Sequence, residues 1–333
     1  MPLPLQKATR LVAVHDVPLD CDIYEAADYP KSGPVFLFFH SGGLVVGDRS
    51  MVPPWLVQTC YKRQWPLLSA SYRLLPQVFG NGLLDDAKAA YDFARSLGVG
   101  GANRHVIVGG ASAGVFLATL IAHHLTPKPL ALLSICGIPT FQHPFFNSSV
   151  LLPPDPITEE EVERYITEPV SIGKSPYSPE AVFSTEMLLP GGAKNPNFTR
   201  NPISLRKGSD QDLNRGLLYD YYLYENMFPI LVGSSVDPGF DWTATDAEKL
   251  KQWPITILIQ GDADDAVSPE VCSSVAEKLG TGKAVYCEAK GQDHLFEKTK
   301  FLEDALPGAP GSKAMTAVLK AINELGNAVT RQT

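Results

Sequence analysis

No apolar run in this sequence is long enough to span a bilayer. The longest, Val35–Phe39, Leu130–Cys136 and Ile255–Ile259, are strand-length, far short of the roughly 18 residues a membrane helix needs. Basic clusters are missing too. Lys plus Arg number 28 against 36 Asp plus Glu, a formal charge of −8. A mildly acidic chain without a basic patch is not built to hold nucleic acid or an anionic membrane surface. Cysteine is sparse: Cys21, Cys60, Cys136, Cys272 and Cys287 are scattered, odd in number and form no CxxC pair. Neither a disulfide framework nor a zinc site is expected, and the reading is a reduced, cytoplasmic protein. The first twenty residues lack a basic stretch followed by an unbroken apolar core, so no secretory signal is read there. Without that route, the sequons at Asn147 and Asn197 are read as chance matches. Internal repeats and low-complexity tracts are absent.

What is present is ordinary for a globular chain. Apolar residues make up 44% and charged residues 19% of 333, which excludes wholesale disorder and allows a large core. That length admits two domains or one large α/β domain. Leu11–Val14 and Cys21–Tyr24 read as short strands about a turn at Val17-Pro18-Leu19-Asp20. GPVFLFFH, ending at His40, is a continuous apolar run, as in a strand buried on both faces. A helix is read near Trp55–Arg63, a strand at Trp65–Ser71 and an amphipathic helix at Asp85–Leu97 stopped by Gly98. A strand at His105–Val108, a helix at Ala113–His124 and a strand at Leu130–Cys136 follow. Alternation of strand and helix from 34 to 137 is the mark of βαβ units and a parallel sheet.

The rhythm breaks over 138–250, which is rich in Pro, Asn and aromatics, and resumes at Ile255–Ile259. A helix near Pro269–Leu279, a strand at Ala284–Glu288 and a helix near Lys313–Leu325 complete it. The simplest account is one doubly wound core, 1–137 and 251–333, with 138–250 as a lid insertion, far longer than an ordinary loop.

Gly110-Ala111-Ser112-Ala113-Gly114 matches G-x-S-x-G. In that motif the serine sits on a strained turn between strand and helix, and its glycines let backbone pass closely. The first helical turn offers free N–H groups to a developing oxyanion. A strand before the motif and a helix after it are the context it needs. The bland reading is a plain βα turn. His40-Ser41-Gly42-Gly43 follows the buried strand directly. Its glycines can aim N–H groups at a common point, with the N–H of Ala113 as a further donor.

A serine hydroxyl needs a base, and the base a carboxylate. The expected chain order is Ser, acid, His. Only His294 lies far downstream. Of the upstream histidines, His123 and His124 are neighbours on a helix and cannot face one metal. His15 and His143 lie in loop-like stretches. For the acid, Gly261-Asp262-Ala263-Asp264-Asp265 offers three carboxylates. Asp264 is the first choice and Asp265 the fallback. The spacing excludes an EF-hand.

These motifs together resemble the hormone-sensitive-lipase-like esterases of the α/β-hydrolase fold. HSGGLVVGD (40–48) resembles the family's H-G-G-G-x-x-x-G-D/S block. SYRLLP (71–76) resembles D-Y-R-L-A-P, and GASAG stands for G-D-S-A-G. GDADDAVSP (261–269) resembles the acid loop, whose triad aspartate falls on Asp264, and GQDH (291–294) resembles the base segment. The resemblance covers roughly 34–137 and 254–328. It implies an α/β-hydrolase fold with a mostly parallel sheet. It also implies a serine hydrolase for a carboxyl ester, lactone or thioester: Ser112, Asp264 and His294 as triad; Gly42, Gly43 and Ala113 as oxyanion donors.

Departures matter. Ser41 replaces the first family glycine, Ala111 the aspartate before the nucleophile, Leu75 an alanine and Gln77 the usual acid after Pro76. The family usually carries an N-terminal cap, whereas here the first strand begins by residue 11. The insertion is therefore expected to build most of the pocket. Its aromatics (Phe141, Phe145, Phe146, Tyr219, Tyr221, Tyr222, Tyr224, Phe228, Trp242 and Trp253) read equally as lid core or as pocket lining. No metal or organic cofactor is implied. The expected partner is a small molecule, with a homodimer left open. Two rivals stand: a specialised biosynthetic hydrolase or cyclase acting on a bulky intermediate, and a non-catalytic binding protein of the same fold.

Overall fold

The computed structural model describes residues 2–98, 102–153, 155–174, 176–199, 214–309 and 311–332. Eight strands form one sheet: β1 (Gln6–His15), β2 (Val17–Glu25), β3 (Val35–Phe39), β4 (Leu67–Ala70), β5 (Val106–Ala111), β6 (Ala131–Ile135), β7 (Ile255–Gly261) and β8 (Ala284–Ala289). Their order is β1-β2-β4-β3-β5-β6-β7-β8. β1–β2 and β2–β4 pair antiparallel, and every other pairing is parallel. This is the expected doubly wound sheet of the α/β-hydrolase fold.

Strand β3 shows why. All five of its residues are buried, because side chains alternate between the faces and both faces are covered. Leu37 and Phe39 enter one core with α2 (Gly80–Ser96), α3 (Gly114–His124) and the helix Pro269–Leu279. Phe36 and Phe38 enter the other, with α1 (Pro54–Arg63) and the C-terminal helix Ser312–Thr330.

Two readings shift. The N-terminal turn is not at 17–20: His15 pairs with Val17, and Asp16 turns the chain at φ +60°. Pro18 lies inside β2, beyond the Cys21–Tyr24 stretch that pairs with β4, so its missing N–H costs nothing there. Helix α2 begins at Gly80, five residues before the expected Asp85. A Cβ on Gly80 would stand 1.9 Å from the Val232 carbonyl oxygen. The glycine is there for close packing, not to break the helix.

Between β6 and β7 the chain forms short helices, among them Glu159–Thr167, Leu217–Tyr224, Phe228–Val232 and Ala247–Gln252. Phe141, Phe146, Tyr222 and Phe228 are buried and join the core of the α2/α3 side. Phe141 stacks on Phe228 at 4.7 Å between centroids. The core reading holds for these rings. Trp253 is buried as well, and packs with Phe240 and Trp242 around His123.

Candidate active site

Three loops at the C-terminal ends of parallel strands meet above the sheet. The first is the turn from β5 into α3. A Cβ on Gly110 would lie 2.4 Å from the Gly114 carbonyl carbon, and one on Gly114 would lie 2.2 Å from the Phe39 carbonyl oxygen. Only glycine fits where the turn crosses itself and β3. Ser112 between them is held at φ +49°. That left-handed conformation is uncommon for a residue with a side chain. Its N–H donates to the Ile135 carbonyl at 2.8 Å, so the turn is tied to β6.

The second loop follows β7. Asp264 Oδ1 accepts the N–H groups of Ala266 and Val267 at 3.1 and 2.9 Å. Its Oδ2 accepts from Gln260 Nε2 at 2.8 Å and faces His294 Nδ1 at 2.8 Å. The Asp264 side chain is fully buried, whereas Asp262 and Asp265 are exposed. Of the three carboxylates, this is the one the loop holds. The third loop follows β8 and carries His294, whose Nε2 stands 3.1 Å from Ser112 Oγ. Asp264, His294 and Ser112 thus lie in one hydrogen-bonded line, although 182 residues separate the last two.

Gly42 and Gly43 flank this line. Their φ values, +125° and +63°, suit glycine, and a Cβ on Gly42 would strike the Val46 carbonyl oxygen at 2.0 Å. Among the described residues, the N–H groups of Gly42, Gly43 and Ala113 take no part in backbone–backbone hydrogen bonds. His40 shapes the loop from beneath. It stacks on Tyr72 at 4.3 Å, and its Nδ1 bonds the Ser41 carbonyl at 2.8 Å. A carbonyl only accepts, so Nδ1 carries the proton. Burial lowers this imidazole to about 4, so it stays neutral near pH 7.

A pocket of about 300 Å³ opens beside Ser112, between Gly42, Gly43, Val267 and His294 on one side and Tyr177, Gly216 and Tyr219 from the segment between β6 and β7 on the other. Tyr219 packs its ring on Gly43, where a Cβ would meet Cδ2 at 2.6 Å, and donates its hydroxyl to the Ala266 carbonyl at 2.9 Å. Tyr177 exchanges a hydrogen bond with Ser41 Oγ at 2.7 Å. Burial pushes both phenols up, Tyr177 to about 12. They remain protonated. A separate depression of about 200 Å³, lined by Glu168, Ser171, Lys174 and Arg215 among others, does not include Ser112 or His294.

Tyr177 was not legible in the sequence. The one signal was Ser41 in place of a glycine, since a buried hydroxyl asks for a partner. The upstream histidines take structural places. His124 bonds the Val236 carbonyl, His143 caps a turn and His15 meets Asp86. All five cysteines are free and buried. Among the described residues, no helix is long and apolar enough to cross a membrane.

The sheet order and the three converging loops define the α/β-hydrolase fold, and the comparisons with known proteins agree. Residues 36–171 match the family model described as alpha/beta hydrolase fold, which bears out the resemblance carried by the motifs. The chain is 32% identical over 96 residues to Lipase 2 of a Moraxella species, covering 28% of this chain and 22% of that protein. It is 36% identical over 62 residues to a probable carboxylesterase of a Phoma species, covering 18% and 19%. These matches span less than a quarter of each relative's length. Among solved structures, an alpha/beta hydrolase superfamily protein from Enterococcus faecalis superposes with a TM-score of 0.65 at 17% identity, covering 98% of this chain and 99% of that one. At that identity the likeness speaks for the fold alone.

Proposed function

We propose that the chain is a serine hydrolase acting on a carboxyl ester, lactone or thioester. One observation carries this reading: the hydrogen-bonded line Asp264–His294–Ser112 ends at the floor of a pocket bordered by two glycine amides. His294 Nε2 takes the Ser112 proton as Oγ attacks the acyl carbon. Charge moves onto the carbonyl oxygen, which the amides of Gly42, Gly43 and Ala113 receive. His294 returns its proton to the leaving alcohol or thiol as the tetrahedral adduct collapses. Water, deprotonated by the same histidine, then releases the acid from the acyl-enzyme. Asp264 holds Nδ1–H and supports the imidazolium.

The relatives named lipase and carboxylesterase favour an ester substrate. Tyr177, Gly216 and Tyr219 give the insertion one wall of the pocket, which favours a selective enzyme over a broad one. The test is hydrolysis of p-nitrophenyl esters, from acetyl upward, by wild type and Ser112→Ala. Turnover is expected to fall by roughly 10⁴–10⁶-fold in the variant with unchanged melting. Turnover that survives Ser112→Ala would remove the serine mechanism. Fluorophosphonate labelling of Ser112 without ester turnover would leave a competent site for a specialised substrate. Neither labelling nor turnover would put a binding protein first.

A further inference from the structure

Behind the catalytic pocket lies a second, much smaller cavity. It offers about 10 Å³ to the centre of a water molecule, room for roughly one. Its walls include Ser41, Ala111, Tyr177, Leu295 and Glu297. Ser41 precedes the oxyanion glycines, Ala111 precedes Ser112 and Leu295 follows His294. The cavity therefore touches the immediate chain neighbours of Gly42, Ser112 and His294. Tyr177 lines both spaces and separates them. Two departures from the family pattern, Ser41 for glycine and Ala111 for aspartate, face it as well. Ala111 puts only a methyl group against the cavity, and the carboxyl among its lining residues is that of Glu297.

Glu297 sits one turn beyond His294 and is 0% exposed. Its carboxyl has only the Trp55 indole N–H and its own backbone N–H beside it, neither in full hydrogen-bond geometry among the described residues. A fully buried carboxyl held so loosely is costly. We propose that Glu297 is a positioning residue for His294. Its ionised carboxyl, bridged through this cavity to the Ser41–Tyr177 hydroxyl pair, supports the imidazolium from behind and adds a second ionisation to the pH profile. The proposal rests on the hydrolase reading above.

The charged and titratable surroundings are few. Burial raises Glu297 to about 7, and the His294 and Lys298 charges and the Trp55 indole oppose that rise. Lys298 is paired with Glu180. Tyr177 and Cys136 are both pushed up by burial and stay neutral. His294 is thus the reactive group whose charge Glu297 feels, and the coupling is reciprocal.

The sign follows. Above about pH 7 Glu297 is charged and favours proton transfer to His294. Below it the carboxyl is neutral and that support is lost. Wild-type kcat should rise with pH in two steps. Glu297→Gln should show one step, with kcat several-fold below wild type at pH 9 and close to it at pH 5.5. Superimposable profiles would overturn the proposal. A variant that does not fold leaves the wild type to answer. In glutamate-labelled protein, one carboxyl carbon resonance should titrate near pH 7 and move to lower pH after a phosphonate has modified Ser112 and left His294 protonated. Absence of any glutamate titrating above the ordinary carboxylate range would sink it. So would labelling that leaves such a titration in place. Failure of the phosphonate to label Ser112 would instead count against the hydrolase reading.

Discussion

The two halves of the pocket are built by different means. The core side is a matter of backbone. Gly42, Gly110 and Gly114 occupy places where any Cβ meets another main chain below 2.5 Å, and Ser112 is held in a left-handed turn between two of them. The side built from the segment between β6 and β7 is a matter of single long side chains reaching main-chain oxygens. Arg215 donates to the carbonyls of Val45, Leu75 and Tyr165, and Tyr219 to that of Ala266. Backbone constraints are local in sequence and leave short motifs. A side chain reaching a distant carbonyl leaves none.

That contrast explains what could be read in advance. The residues of the Asp264–His294–Ser112 line and the glycine turns were legible because each is written in a short stretch at a strand end, and the core because strand and helix alternate along the chain. Helix α2 begins five residues before the expected Asp85, at a glycine with no local apolar spacing to mark it. Gly80 in fact admits the Val232 carbonyl, a contact across 152 residues. Tyr177 and Arg215 carry no local pattern, and nothing in 138–250 says which tyrosine turns inward. Tyr222 went into the core, while Tyr219, three residues away on the same helix, lines the pocket.

The strongest test of the comparison is Gly114→Ala. One methyl group is added, yet it must push β3 off α3, because its neighbour is the Phe39 main chain. Such overpacking costs about 3 kcal/mol. Denaturant unfolding should report it as a lowered midpoint with ester hydrolysis largely gone. Gly280→Ala is the control: its φ is +73° but no atom lies within 4 Å, so conformational strain of about 1 kcal/mol is all that is expected. Equal losses at the two positions would mean that crossing backbones do not set the core side.

On the side built between β6 and β7, Arg215→Met is the counterpart. The guanidinium is buried, and burial lowers it to about 10, so it remains charged. Its fork also reaches Gln77 Oε1 and Glu168. Methionine keeps the bulk and leaves several carbonyls without their donor, a loss of about 2 kcal/mol. Since Val45 follows Gly42 and Gly43, the proposed oxyanion donors, KM and kcat should both worsen. Arg215→Lys should recover little, because an ammonium cannot serve carbonyls on three sides. A lysine variant with wild-type melting and turnover would reduce this clamp to ordinary packing.

The smallest effect expected is at Tyr219→Phe. The ring stays, so contact with Gly43 and the shape of the pocket are kept. What goes is one hydrogen bond to the Ala266 carbonyl, worth about 1 kcal/mol. Ala266 donates its own N–H to Asp264 Oδ1 at 3.1 Å, so that carbonyl belongs to the loop that orients the acid. If the tyrosine steadies the acid loop, kcat should drop about fivefold while KM barely changes, since about 1.4 kcal/mol corresponds to a tenfold change. If it only closes the wall over bound substrate, KM should rise and kcat should hold. The first outcome joins the two halves of the site through one phenol. The second keeps the core responsible for the chemistry and the insertion for choice of substrate.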